Sequence, residues 1–217
     1  MSEKIKYLIN GYHQFRKEYF STDDSLYKDL SEQGQSPRFL IVACSDSRVD
    51  PAIVLNCKPG DLFVIRNVAN LIPPYEKDTG YHGTSAALEF GICGLQIRHL
   101  IVMGHSQCGG IRALMNRNKE EELHSFVSKW MELAEEAKQE ALSAAASLPF
   151  DEQVDLCSRA AVVHSIENLK SFPWIKERLE MKTLFLHGWH FNIAAGEISV
   201  YDPTVKQFKA LAAITGE

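Results

Sequence analysis

Two short stretches carry residue types that do chemistry together. In ACSDSRVD, residues 43–50, the thiol of Cys44 is followed by the carboxylate of Asp46 and the guanidinium of Arg48. In GHSQCGG, residues 104–110, His105 and Cys108 stand three apart, the separation of neighbours around one helical turn. Two thiolates and one imidazole suit Zn2+, and a Cys2His set leaves a fourth position for solvent. Zinc with two thiolates and a neutral imidazole has no net charge, so its water gives up a proton less readily than at a three-histidine site. Asp46 is then the residue to accept a hydrogen bond from the nucleophile, and Arg48 the residue to keep Asp46 ionised through a bidentate pair. Gly109 and Gly110 allow close backbone approach, and N–H groups at a helix start receive anions. Residue types alone leave other readings open. Cys44 and Cys108 are also a possible redox pair, Cys57 a possible fourth ligand of a structural zinc, and Asp46 a possible helix cap.

Both stretches follow apolar runs that read as buried strands, RFLIVAC at 38–44 and HLIVMGH at 99–105. A further strand, DLFVIRN at 61–67, is introduced by the turn signal Pro59-Gly60. Between the strands lie a proline-rich loop and a small-residue helix over 84–95, and after them a helix over 111–117. Continuous apolar strands alternating with helices predict an α/β fold, a mainly parallel central sheet flanked by helices. In such sheets ligands gather beyond the carboxyl ends of the strands, where both stretches sit. The rest of the chain predicts one long helix over 119–147, another over 151–172 and a short one from Pro173. Residues 182–191 and 197–202 read as a hairpin or sheet extension turning near Gly196. Helical spacing over 3–20 and 23–33 predicts an N-terminal helical arm. The chain divides as an arm over 1–34 and a zinc-binding α/β domain over 35–217. No linker separates them, so it is one domain overall.

The chain has 217 residues, 45% of them hydrophobic, and a formal net charge of −5. That balance argues against nucleic acid or an anionic membrane as partner. No apolar run reaches bilayer length, and the start MSEKIKYLIN lacks a signal-peptide core, so a cytoplasmic protein is expected. Five cysteines, an odd number in a chain of this size, argue against a disulfide framework. Cys93 and Cys157 fall on apolar helical faces and are expected in the core. His82, in the proline-rich loop, is a candidate proton carrier because histidine titrates near neutrality. The histidines at 13, 99, 124, 164, 187 and 190 show no partner spacing.

Taken together, CSDSRVDP, PGDLFVIRNVANLIPPY, GTSAALEF, HLIVMGHSQCGGI and LHGW closely resemble the β-class carbonic anhydrases. The resemblance runs from about Gln35 to Met115 and resumes near Leu186. It implies reversible hydration of CO2 to bicarbonate and a proton by zinc-bound hydroxide, with Cys44, His105 and Cys108 as zinc ligands and Asp46 and Arg48 as the catalytic dyad. It also implies a homodimer or a higher multiple of dimers, in which the N-terminal helices reach over the partner subunit. Gln35, in GQSPRF, would donate a hydrogen bond at the active site across the dimer interface. Phe63, Val68 and Phe90 would hold CO2, and Gly109 would offer a backbone N–H to bicarbonate. Phe90 stands where many members carry a tyrosine, which removes a hydroxyl from the pocket rim.

Some members bind bicarbonate as an inhibitor in a side pocket built on a tryptophan, an arginine and a tyrosine. Here those positions hold Ile41, Arg66 and Phe191. The expectation is an open site at neutral pH, with solvent as fourth ligand and Asp46 paired with Arg48. Some relatives hydrolyse carbonyl sulfide or carbon disulfide on the same zinc site. A non-catalytic, zinc-stabilised assembly protein is the reading of a different class, and it requires a fourth protein ligand.

Overall fold

The computed structural model describes residues 2–20, 26–78, 80–116 and 126–211. It divides into two compact units, Met1–Ser36 and Pro37–Glu217. In the first, α1 (Glu3–Phe20) and α2 (Leu26–Gln33) are joined through aromatic packing: Phe15, Tyr19 and Phe20 all lie within 5.5 Å, centroid to centroid, of the Tyr27 ring. Neither helix buries a residue.

The second unit is built on a six-stranded sheet in the order β2-β1-β3-β4-β5-β6. Strands β1 (Phe39–Cys44), β2 (Leu62–Asn67), β3 (His99–His105) and β4 (Phe185–Asn192) are parallel. Strands β5 (Glu197–Asp202) and β6 (Gln207–Ala210) are added antiparallel. After β1 the chain moves outward to β2, then crosses back to β3 on the other side of β1. The order therefore reverses between β1 and β3, the place where such sheets open a crevice. Register places Ala43 beside Met103, so Cys44 and His105 leave adjacent strands at the same end of the sheet.

The strands are apolar on both faces, and two helices pack on one of them. Leu40, Val42, Leu100 and Val102 pack with Leu88 of α4 (Gly83–Glu89) and with Val162, Ile166 and Leu169 of α8 (Phe150–Leu169). Ile41, Ala43, Ile101 and Met103 form a smaller cluster on the opposite face. A third cluster lies beneath the strand ends and includes Cys44, Cys108, Ala137 and Cys157. Gly104 lets α8 approach β3 closely: a Cβ there would stand 2.7 Å from Val162 Cγ2.

Three elements differ from the expectation. The helix expected over 119–147 is two, α6 (Phe126–Met131) and α7 (Glu135–Ala144), separated by a tight turn at Glu132–Ala134; residues 117–125 lie outside the described residues. Trp130 Nε1 donates to the Val68 carbonyl at 2.8 Å while Lys138 Nζ donates to the Leu114 carbonyl at 2.9 Å, so each segment is tied to a different part of the molecule. The helix over 84–95 relaxes after Glu89 into a wider turn, Phe90–Gly94, closed by the Leu95 N–H on the Phe90 carbonyl. That turn exposes Cys93, which was expected in the core, whereas Cys157 is fully buried. Strand β6 was not foreseen, because its four residues carry only one apolar anchor, Phe208. The hairpin turn at Gly196 has φ of 70° and fits the expectation. Of the arm, residues 21–25 lie outside the described residues.

Candidate metal centre

Cys44 ends β1, His105 ends β3, and Cys108 follows one turn later, just before α5 (Gly109–Asn116). All three are buried, and their ligand atoms lie within 4.8 Å of one another. The two sulfurs are 4.0 Å apart. Two sulfurs at ~2.3 Å from one tetrahedral zinc would lie ~3.8 Å apart, so the thiols fit such an ion. His105 Nδ1 faces the Ser106 carbonyl at 2.9 Å, while Nε2 is buried with no hydrogen-bond partner among the described residues. An imidazole fixed through one nitrogen and orphaned at the other, beside two thiols, is the usual state of a metal-ligating histidine.

The backbone favours anionic sulfur at Cys44. Ala69, with φ of 62°, turns its N–H onto Cys44 Sγ at 3.3 Å. The two sulfurs by themselves share one proton. A hydrogen bond from Cys108 pushes Cys44 down to about 4 against its burial, and the same bond, with burial, pushes Cys108 up. Both thiolates together therefore call for a cation between them.

Asp46 and Arg48 stand beside this cluster. Asp46 Oδ1 accepts the Arg48 backbone N–H and Nε, each at 3.0 Å, and Oδ2 accepts Nη2 at 2.8 Å. The Arg48 hydrogen bonds hold the Asp46 carboxyl below the usual carboxylate range. Arg48 Nη2 also donates to the Gln107 carbonyl at 3.2 Å, which ties the CSDSR loop to the HSQC loop. A second arginine, Arg66 on β2, braces the same loop from below. It donates to the carbonyls of Cys44 and Asp46 and to Oδ2 of Asp50, whose Oδ1 accepts the Ala52 N–H and caps α3 (Pro51–Val54). Sequence reasoning gave Arg66 no such part. The signal available was an arginine inside an apolar parallel strand, where a half-buried cation must find acceptors.

The structure brings together Cys44, Asp46, Arg48, His105, Cys108, Gly109 and Val68. A Cβ on Gly110 would stand 2.8 Å from Val68 Cγ1, so Val68 backs directly onto the loop after Cys108. Nothing would lie within 4 Å of a Cβ on Gly109, whose surroundings are open. Phe63 and Phe90 pair with each other, 5.8 Å between centroids, but at another place. Phe63 is four residues before Asn67, the register partner of Cys44, and so about 13 Å back along β2. Gln35 belongs to the N-terminal unit and is exposed. Cys57 donates its S–H to the Leu55 carbonyl and lines an apolar cavity of about 300 Å3 with Phe39 and Trp189. His82 pairs with Asp78 at 2.5 Å, which raises its pKa, on the rim of a cavity of about 640 Å3 that Val68 and Trp130 also line. His99 and His187 meet at 3.2 Å, a pair invisible in the sequence because 88 residues separate them.

No helix among the described residues is long and apolar enough to cross a membrane. Residues 39–198 match the family model described as carbonic anhydrase. The chain is 43% identical over 178 residues to β-carbonic anhydrase 5, chloroplastic, of Arabidopsis thaliana, an alignment covering 82% of this chain and 58% of that one. It is 38% identical over 203 residues to a carbonic anhydrase of Synechocystis, covering 94% and 73%. This chain thus spans under two thirds of the Arabidopsis relative and about three quarters of the Synechocystis one. Among solved structures, the β-carbonic anhydrase CcaA superposes with a TM-score of 0.89 at 36% identity, covering 96% of this chain and 92% of that one. Family model, relatives and fold agree with the two-thiol, one-imidazole cluster at the sheet's reversal point: the chain belongs to the β-carbonic anhydrases.

Proposed function

We propose that this chain hydrates CO2 reversibly to bicarbonate and a proton, with Cys44, His105 and Cys108 holding a zinc ion. Bound zinc supplies a nucleophile from water at neutral pH. Asp46 orients that water. Its Oδ1 is committed to two N–H groups of Arg48, whereas Oδ2 takes only one and keeps a lone pair for a further hydrogen bond. Arg48 holds the carboxylate ionised and away from the thiols, which supports the open-site reading. Arg66, whose equivalent serves an inhibitory bicarbonate pocket in some relatives, is engaged by three acceptor groups in the loop, and Ile41 is fully buried. Val68 gives CO2 an apolar wall, and the Gly109 N–H at the start of α5 receives a bicarbonate oxygen.

A second copy completes the pocket. Phe63, Phe90 and Gln35 lie on surface that the thiol cluster of their own chain does not use, and Phe90 is 52% exposed. Residues 1–34 act as the dimerising arm, since a helix that buries none of its residues needs another surface to cover. Five free cysteines fit a reducing cytoplasm.

The observation that carries this reading is the orphaned His105 Nε2 facing two thiols beside an ionised, arginine-clamped aspartate. Metal analysis joined to stopped-flow CO2 hydration tests it. One zinc per chain and turnover abolished by Cys44→Ser are expected. Carbonyl sulfide hydrolysis without CO2 hydration, or a metal-loaded chain inactive on both, overturns it.

A further inference from the structure

Helix α8 grips the metal-ligand loop from behind, through side chains outside both the ligand set and the Asp46–Arg48 pair. Asp155 and Ser158 stand three apart on α8 and so share a face. Ser158 Oγ donates to the His105 carbonyl at 3.0 Å, and Asp155 Oδ1 accepts the Gln107 N–H at 3.2 Å. These contacts bracket the loop, one on the residue that ends β3, the other on the residue before Cys108. Gln107 has φ of 55°, a left-handed conformation that a residue other than glycine keeps only when its surroundings hold it. In that conformation the Gln107 carbonyl receives Arg48 Nη2 at 3.2 Å, while Nη2 and Nε bind Asp46.

We infer that Asp155 is a positioning residue of this site. Its Oδ1 holds the Gln107 backbone in the left-handed turn, the Gln107 carbonyl sets the Arg48 guanidinium, and Arg48 aims Asp46. The inference rests on the carbonic anhydrase reading, but Asp155 itself touches neither ligand set nor carboxylate. What the turn needs is an acceptor at that point, and an asparagine amide oxygen supplies one equally well. Groups that orient reacting side chains in this way are worth about 10- to 100-fold in activity when removed.

The test compares Asp155→Ala with Asp155→Asn in the full-length, zinc-loaded protein. Two readouts are taken: CO2 hydration kinetics, and the NMR signal of the Arg48 Nε–H, assigned by its loss in Arg48→Lys. Asp155→Ala is expected to lower kcat about tenfold with KM little changed and zinc still at one per chain, and to broaden the Arg48 signal through solvent exchange. Asp155→Asn is expected to restore kcat to within about twofold of wild type and to sharpen the signal again. An alanine variant with wild-type kcat and an unchanged Arg48 signal overturns the inference. So does an asparagine variant as impaired as the alanine, or a loss of activity that follows zinc loss or early melting while the Arg48 signal stays intact. The NMR readout needs no turnover. A wild-type chain inactive on CO2 therefore defeats the proposed function and leaves the Asp155 test standing.

Discussion

Asp46 keeps its charge because Arg48 meets both of its oxygens. The folded carboxyl is held below its ordinary value of 3.8, so the pair's contribution is complete above that value and is lost only as pH falls through the lowered one. At neutral pH Asp46 is therefore always the acceptor. Replacing Arg48 with alanine is expected to raise the Asp46 pKa toward 3.8, followed by carbon NMR of its carboxyl, and to lower kcat/KM by about 10- to 100-fold. His190 is shifted in the same direction, but because the fold keeps it neutral rather than charged. It is 1% exposed, and neither ring nitrogen has a hydrogen-bond partner among the described residues. Burial first, then the charges of Arg159 and His105, push its pKa down from 6.5 to about 3. The unfolded chain binds this proton and the fold does not. Stability from this group is full above pH 6.5 and falls as pH drops, by about 1.4 kcal/mol per unit. In urea titrations between pH 6 and 4, His190→Phe is expected to flatten the loss of stability by about one proton's slope. A slope equal to wild type counts against a neutral buried His190.

At the scale of elements, the distance between α8 and β3 decides the site. Gly104 precedes His105, and the missing Cβ is what lets Val162 and Ser158 come near. Gly104→Ala puts a methyl 2.7 Å from Val162 Cγ2, on a stiff β-branched side chain with no free space around it. The expected cost is about 1–3 kcal/mol by chemical denaturation. Gly104→Ala combined with Val162→Ala should recover part of that loss, because the second change opens the room the first one fills. A double variant less stable than the sum of the two singles would show that the strain lies elsewhere.

For the whole molecule, the proposed metal and the proposed second copy each carry a prediction. A ligand that binds only the fold at about 1,000 times its Kd adds roughly 4 kcal/mol. Chelating the zinc should therefore lower the melting temperature by about 10 °C in a chain of this size. Cys44→Ser should show little chelator-dependent shift, and a wild-type chain indifferent to chelation would mean the cluster holds no structural cation. The arm carries the assembly prediction. Leu8 and Tyr12 are exposed on a helix that buries nothing, so Leu8→Asp with Tyr12→Asp should leave the melting of the sheet unit intact. Sedimentation is expected to show the mass falling to that of one chain, and hydration to fall with it.

The meeting of Cys44, His105 and Cys108, with the Asp46–Arg48 pair beside them, was legible in the sequence because each stretch sits directly after an apolar run. A chain that leaves a buried parallel strand delivers its next few residues to one end of the sheet, so C-S-D-S-R and H-S-Q-C had to meet if their strands were neighbours. Three of the four parallel strands were legible as continuous apolar runs, whereas β4, read as part of a hairpin or sheet extension, showed its parallel pairing with β3 only in the fold. Other features were decided only by tertiary structure. Arg66 became a brace because β2 lies beside β1 and turns a strand-interior cation toward the loop carbonyls. Asp155 and Ser158 came within reach of the loop from His105 to Cys108 because Gly104 admits α8, a contact across 48 and 53 residues that no local pattern encodes. Residue type and local spacing thus indicated which groups come together at the strand ends. Which groups hold them in place depended on long-range packing, since hydrogen bonds of that kind follow the approach of whole elements.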